Sequence, residues 1–335
     1  LRNKTNQLRF HIPRMKAATR ACLMEARRTP GFGLWDTLHG YIYGRWAFLY
    51  ISIICGEHRL VRRMRTVINL LFRALNRFPA DNPRIDAAGL HPGQKQHPAF
   101  SRKEGLADTY HGKVLRLASA KKIVTINKEI YLTGLEQVLP YQLARDIVLR
   151  KPDRIAAMQC PCRASRPHPC LPLDVCLIIG EPFFSVAMNH HADKCRPISS
   201  GEACAILEAE ARRGHVHHAF FKEATLGRLF AICNCCDCCC GAMHAHRNGI
   251  PMLASSGYIS VLDHNRCSAC GECVSRCPFG AARRSHGQVR IDPQACMGCG
   301  VCAAHCKQQA LSLKRDHTRS DPLELDRLLA ANPSR

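Results

Sequence analysis

The sequence predicts an α+β fold in three parts: a basic, largely helical N-terminal region, a larger mixed domain rich in cysteine, and a small repeated domain near the C-terminal end. Three observations lead there. Arg59 to Phe78 places Leu60, Met64, Val67, Ile68, Leu71, Leu75 and Phe78 at steps of three and four, the period of a helix with one apolar face. From 113 to 257, short apolar runs such as Val175 to Gly180 alternate with capped helical stretches. Beyond them, two cysteine runs repeat at an offset of 29 positions, which lays Leu262-Asp263 on Ile291-Asp292, Gly271 on Gly300 and Ala281 on Ala310.

The N-terminal region, 1–85, holds sixteen Lys and Arg against four Asp and Glu, a concentrated part of the chain's net charge of +22. Residues 1–33 read as a basic arm with a short helix, and 34–55 as a more aromatic stretch whose last ten residues, Trp46 to Cys55, carry no charge. Ten residues are too few to span a bilayer. The helix at 59–78 keeps Arg59, Arg62, Arg63, Arg73 and Arg77 mostly on its other face. Packing on the protein's own core is one reading of it; resting with the preceding apolar stretch on an anionic membrane or a membrane subunit, through residues 34–78, is the other.

Residues 79–112 are rich in Pro, Gly, Asp, Asn and His, and 86–112 are read as a linker. The mixed domain, 113–257, is expected to hold a strand or two between Lys121 and Leu132, a helix from Tyr141 to Arg150, a buried strand at 175–180, and a helix capped by Ser199 that ends at Gly214. The repeated domain occupies 258–314. A tail, 315–335, follows, with a helix from Pro322 to Ala331 behind Asp321.

The repeats are Cys267-x2-Cys270-x2-Cys273-x3-Cys277-Pro278 and Cys296-x2-Cys299-x2-Cys302-x3-Cys306. This is the spacing of iron–sulfur ligands, in which a tight loop wraps a small inorganic core and turns backbone N–H groups toward its sulfurs. A pair of zinc knuckles is the alternative, although zinc sites favour paired C-x2-C hooks. Residues 258–314 resemble a bacterial-type ferredoxin domain with two [4Fe–4S] clusters, departing from it at Lys307, where that family often has proline. In that family the fourth cysteine of each run serves the other cluster. The resemblance therefore implies Cys267, Cys270, Cys273 and Cys306 on one cluster, and Cys296, Cys299, Cys302 and Cys277 on the other.

Fourteen of the 22 cysteines lie outside these runs. Cys160, Cys162, Cys170 and Cys176 form one group, and Cys233, Cys235, Cys236, Cys238, Cys239 and Cys240 another. So many adjacent thiols pack a core poorly and oxidise readily without metal, so a further iron–sulfur or zinc centre is expected. It is either a third cubane on 160, 162, 170 and 176 or a larger centre shared by both groups. Adjacent strand residues point to opposite faces, so the six thiols of the second group are not expected to share one metal. A redox-active dithiol is a further alternative, as is a zinc site using His190, His191, His215, His217 or His218, although such a histidine cluster reads first as solvated surface. Cys22, Cys55, Cys195 and Cys204 have no telling spacing, though Cys195 stands near enough in sequence to complete a site. The segments Tyr41-x-Tyr-Gly-Arg-Trp46, Cys160-Pro-Cys-Arg163 and Ile232-Cys-Asn-Cys-Cys236, with the terminal repeat, resemble a poorly characterised group of bacterial 4Fe–4S dicluster proteins.

The sequence shows no Gly-x-Gly-x-x-Gly loop or P-loop, so no nicotinamide, flavin or ATP site is expected. The leading expectation is an electron carrier or oxidoreductase subunit passing single electrons through two [4Fe–4S] clusters to or from an acidic partner protein. Two alternatives are an electron-fed enzyme with its catalytic centre in the upstream cysteines, and a redox or metal sensor binding nucleic acid through the basic region, for which no recognition motif speaks. Reduced, metal-binding cysteines without a secretory signal point to the cytoplasm, with at most peripheral contact with a membrane.

Overall fold

The computed structural model describes residues 16–29, 33–61, 63–64, 109–141 and 145–331. Most of the helix expected at 59–78 and of the linker expected at 86–112 therefore lies outside the described residues, although 59–61 and 63–64 are helical. The linker reading ran too far in one direction. Its last three positions belong to the first strand, β1 (Tyr110–Leu115), which is buried from His111 onward.

Three helices open the described chain: α1 (Ala17–Arg28), α2 (Leu34–Arg45) and α3 (Ala47–Ile54). Asp36 sits in the first turn of α2 and accepts the Gly33 N–H at 2.7 Å, an acidic group where the helix dipole favours one. Further along α2, a Cβ on Gly40 would stand 2.8 Å from the Ala224 carbonyl oxygen, so only glycine lets the helix lie this close to the 3₁₀ turn Glu223–Thr225. The outer side of α2 and α3 leaves Trp35, Leu38, Ile42, Trp46, Leu49 and Ile53 exposed at helical spacing. Among the described residues, no helix is long and apolar enough to cross a membrane.

The central element is an eight-stranded sheet. Its strands are β1, β2 (Ile130–Leu132), β3 (Ile147–Met158), β4 (Cys176–Glu181), β5 (Cys195–Ile198), β6 (Val216–Lys222), β7 (Arg228–Cys235) and β8 (Leu253–Ala254). They run in the order β2-β3-β4-β7-β6-β1-β8, with β5 paired to β3 beside β2, and only β1 and β8 pair in parallel. Between them lie α4 (Leu117–Val124), α5 (Pro161–Ala164), α6 (Phe183–His190), α7 (Ser200–Arg212) and α8 (Gly241–Arg247). The Ser199 hydroxyl accepts the Glu202 N–H at 3.1 Å and caps α7, and Gly214 follows the helix at φ 83°.

Two expectations are corrected here. Within 121–132 the chain is helical as far as Val124, because Ala120, Ile123 and Val124 form a buried i, i+3, i+4 stripe; only Ile130–Leu132 is strand. The helix expected at 141–150 is absent from its described part: Ile147, Val148 and Leu149 pair with Leu132, Tyr131 and Ile130 as β3. Val148 is β-branched between two apolar neighbours, and pairing overrides the helical spacing of Leu143, Ile147 and Val148.

Strand alternation sorts the core into two layers. Ile155, Ala157, Leu177, Ile179, Ala219 and Phe221 face α4 and α7, whereas Ala156, Met158, Cys176, Ile178 and Phe220 face α6 and the cysteine-rich segments. A bulge opposite Phe220 and Phe221 resets β7, so that Cys233 and Cys235 join the second layer.

The repeated domain is built as two matching halves: β9 (Tyr258–Leu262), α9 (Glu272–Arg276) and β10 (Ala282–Ser285), then β11 (Gln288–Ile291), α10 (Val301–Ala304) and β12 (Leu311–Arg315). The outer strands β9 and β12 pair with each other, as do the inner strands β10 and β11. Residues 316–331, ending in α11 (Leu325–Ala331), are a clasp. Arg319 donates to the Cys296 carbonyl at 2.6 Å, while Glu324 meets Arg116 and Ser320 accepts from the buried Lys113 ammonium at 2.9 Å.

Burial pushes Lys113 down to about 7, helped by the charge of Arg315 and opposed by Asp321. Burial pushes Lys222 down to about 7 as well. An unfolded lysine titrates near 10.4, so between about pH 7 and 10 the unfolded chain holds more protons and stability rises with pH. Raised buried thiols such as Cys195 act in the opposite sense, so melting curves of the parent chain and Lys113→Met should be compared: the difference should shift in the parent's favour from pH 7 to 9, and a constant difference would remove the Lys113 contribution.

Candidate metal centres

The two cysteine runs fold into two facing pockets. Cys267, Cys270, Cys273 and Cys306 line one, and Cys277, Cys296, Cys299 and Cys302 line the other. Gly271 and Gly300, both at φ 84°, turn the chain from each loop into α9 and α10. Gly298 is more constrained: at φ 65°, a Cβ there would overlap the Tyr258 carbonyl. The halves repeat even in their hydrogen bonds. Ala281 N–H donates to Cys277 Sγ at 3.2 Å and Ala310 N–H to Cys306 Sγ at 3.3 Å, leaving donors aimed at sulfur as an anionic cluster needs. Burial pushes Cys302 up to about 11 and Cys299 higher still, so a bound cationic core is what would hold these groups as thiolates. The pockets differ in access. Cys270 is exposed, whereas Cys296 and Cys302 are buried and Cys299 packs against the core shared with the sheet domain.

Cysteines upstream divide differently from the grouping expected of them. One set is a branched run of neighbouring thiols, each close enough to shift the titration of the next: Cys233 and Cys176, Cys176 and Cys160, Cys160 and Cys162, then Cys162 with Cys55 and with Cys240, and Cys240 with Cys235. All but Cys55 line one cavity on the second layer of the sheet, together with Tyr43, Tyr110, Phe220 and Phe230. The other set is compact. The Sγ atoms of Cys170, Cys236, Cys238 and Cys239 all lie within 4.8 Å of one another, with Cys170 and Cys238 at 3.0 Å. Cys170 thus parts from 160, 162 and 176, and a cubane on those four is not what the fold brings together. The six thiols of 233–240 divide three and three because β7 ends at Cys235, after which a turn gathers Cys236, Cys238 and Cys239 around Cys170, with Cys236 still bordering the cavity of the first set.

Arg163 holds the segments in place. Its side chain is fully buried on α5 and donates to the carbonyls of Pro172 at 2.5 Å and Asn234 at 2.9 Å, and to the Glu210 carboxylate at 2.6 Å. Burial pushes Glu210 up, but hydrogen bonds from His215 and Arg163, with their charges, outweigh it and leave the carboxyl below its ordinary value. The adjacent Asn234 side chain donates to the Val175 carbonyl at 2.8 Å and accepts from His217 at 2.6 Å.

The histidines are not a solvated cluster. His191, His217 and His218 are buried, and four of the five named above have structural partners: Thr19 for His190, the Gly44 carbonyl for His191, Glu210 for His215 and Asn234 for His217. His218 is the exception. It is close enough to feel Cys240, and neither ring nitrogen reaches a hydrogen-bond partner at good geometry among the described residues, Val216 offering only a poorly placed backbone group. Cys55 was missed by spacing. α3 packs against α5 and carries Cys55 to the start of α8, where its sulfur would stand 2.9 Å from a Cβ on Gly241. Cys195 lies opposite Met158 on β5, where burial and Asp193 push it up to about 12.

Residues 259–307 match the family described as the 4Fe-4S dicluster domain. No curated protein matches the chain. The repeated domain is thus a 4Fe–4S dicluster domain, and the chain is an iron–sulfur protein with a further cysteine-rich region.

Removing Arg163 leaves Glu210 with Arg213 at 3.0 Å and His215 at 2.6 Å and strips the Pro172 and Asn234 carbonyls of a buried donor; breaking a comparable buried pair costs about 3 to 5 kcal/mol. Arg163→Met should therefore lower stability by an amount of that order in chemical denaturation, and Arg163→Lys should not rescue it, because one ammonium cannot replace the guanidinium fork. Parent-like stability of Arg163→Met would refute the clamp.

Proposed function

We propose that this chain is a single-electron relay: an acidic redox partner exchanges electrons with the exposed cluster on Cys267, Cys270, Cys273 and Cys306. They pass to the inner cluster on Cys277, Cys296, Cys299 and Cys302, and from there to an iron–sulfur centre held by the buried upstream thiols. The observation that carries this reading is one continuous core. Met297 and Val301, with Cys299 and Phe279 packed against them, share it with Cys160, Cys176, Cys235, Cys240 and Met243. Phe279 also meets the ring of His246 edge to face at 6.2 Å. No water layer need separate the inner pocket from the buried thiols, which favours transfer between them.

Anaerobic purification with iron and sulfide quantitation and EPR tests the relay. More than eight irons per chain, with a third signal lost in Cys240→Ser while two cubane signals survive, is the expected result. Eight irons and no third signal in the parent chain would confine the electron path to the dicluster domain. A third signal that substrate perturbs would instead favour a catalytic centre, a reading that the cavity beside Tyr43 and Tyr110 makes worth testing.

The exposed stripe on α2 and α3 supports a second element of the proposal: peripheral docking on an anionic membrane through residues 34–78. Trp35 is 81% exposed and Trp46 is 44% exposed, and they are the chain's two tryptophans. Vesicles containing anionic lipid should therefore blue-shift the intrinsic tryptophan emission, and neutral vesicles should do so less. Emission unchanged by either kind removes membrane docking from the proposal.

A further inference from the structure

We propose that Cys170, Cys236, Cys238 and Cys239 bind one tetrahedral ion of the zinc class, structurally and apart from the iron–sulfur centres. Size is the first argument. Four thiolates around a single ion at a Zn–S distance of about 2.3 Å stand roughly 3.8 Å apart. All four sulfurs here lie within 4.8 Å of each other, with Cys238 and Cys239 at 3.7 Å. A four-iron cube has one iron behind each thiolate and spreads its sulfurs wider. Among the described residues, this is the one set of three or more His, Cys, Asp or Glu ligand atoms gathered so closely.

Surroundings give the second argument. A divalent ion with four thiolates carries a net charge of −2, and cationic side chains crowd this site. Arg163 is near enough to act on Cys170 and Cys236, Arg166 donates to the Cys239 carbonyl at 3.3 Å, and Arg247 donates to the Asp237 carbonyl. His244 pairs with the Cys238 carbonyl at 3.0 Å. Backbone carbonyls are thus fixed and the sulfurs left to the ion.

The third argument is topological. Cys170 sits in the irregular stretch between α5 and β4, and the other three in the turn between β7 and α8. Four protein thiolates leave no open position, which is the form of a structural site. Binding clips the stretch after α5 to the turn after β7 and shields the thiols from pairing as disulfides. No electron or substrate is handled there, so the inference does not depend on the relay.

Zinc and iron measured together on the full chain, purified anaerobically, test it. About one zinc per chain is expected, with an X-ray absorption shell of four sulfurs at about 2.3 Å and no nitrogen or oxygen. The double variant C170S/C239S should drop zinc to near zero with iron unchanged. If the variant fails to fold, the absorption shell of the parent chain decides alone. Any of four results overturns the proposal: no zinc in the parent chain, a mixed ligand shell, a single iron in place of zinc, or a Cys170–Cys238 disulfide. Loss of iron in step with zinc in a folded variant would overturn it too, by assigning these thiols to a cluster.

Discussion

The buried pair of Arg163 and Glu210 is the interaction on which the upstream half of the molecule depends. A guanidinium and a carboxylate without solvent contact are costly unless their donors and acceptors are met; here the same guanidinium also takes the carbonyls of Pro172 and Asn234, and only its Nε has no hydrogen-bond partner among the described residues. Those two carbonyls belong to the two cysteine segments. One charge therefore fixes the separation of stretches that lie some seventy residues apart in sequence, Arg163 to Asn234 being 71. It works beside the pairing of β4 with β7 and the Asn234 side chain's bond to the Val175 carbonyl, which tie the same two segments.

Strand alternation does the rest of the sorting. Because side chains on β3, β4, β6 and β7 alternate between faces, the layer against α4 and α7 is an ordinary aliphatic core, and the thiols gather on the other face. The dicluster domain packs on that thiol-bearing face through Met297 and Val301. Its two pockets consequently differ, one opening to solvent at Cys270 and the other turned inward.

Features that depend on local chemistry were legible in the sequence. The paired runs of cysteine needed only their spacing, α7 needed Ser199 and Gly214, and β4 needed a short apolar run. Features decided by distant packing were not. Ile123, Val124 and Thr125 look like strand until Ala120 and Ile123 are seen to pack under the sheet. β3 hides behind Arg150-Lys-Pro152, where its register breaks between Arg150 and Ile155. The partition of Cys233 to Cys240 turns on where β7 stops, and the place of Cys55 turns on α3 lying against α5, more than a hundred residues away in sequence. The histidines misled for a similar reason: His217 and His218 sit mid-strand in β6, whose burial no composition argument reveals.

The clasp at 316–331 ties the dicluster domain to the sheet from both sides, through Arg319 on one and Lys113 and Arg116 on the other. Tethering of this kind replaces a collision with a standing distance. Under the relay proposed above, the inner step then has no dependence on protein concentration or ionic strength, whereas the outer step, left to diffusion, keeps both. The rate that the cell can tune is set at the solvent-facing pocket alone.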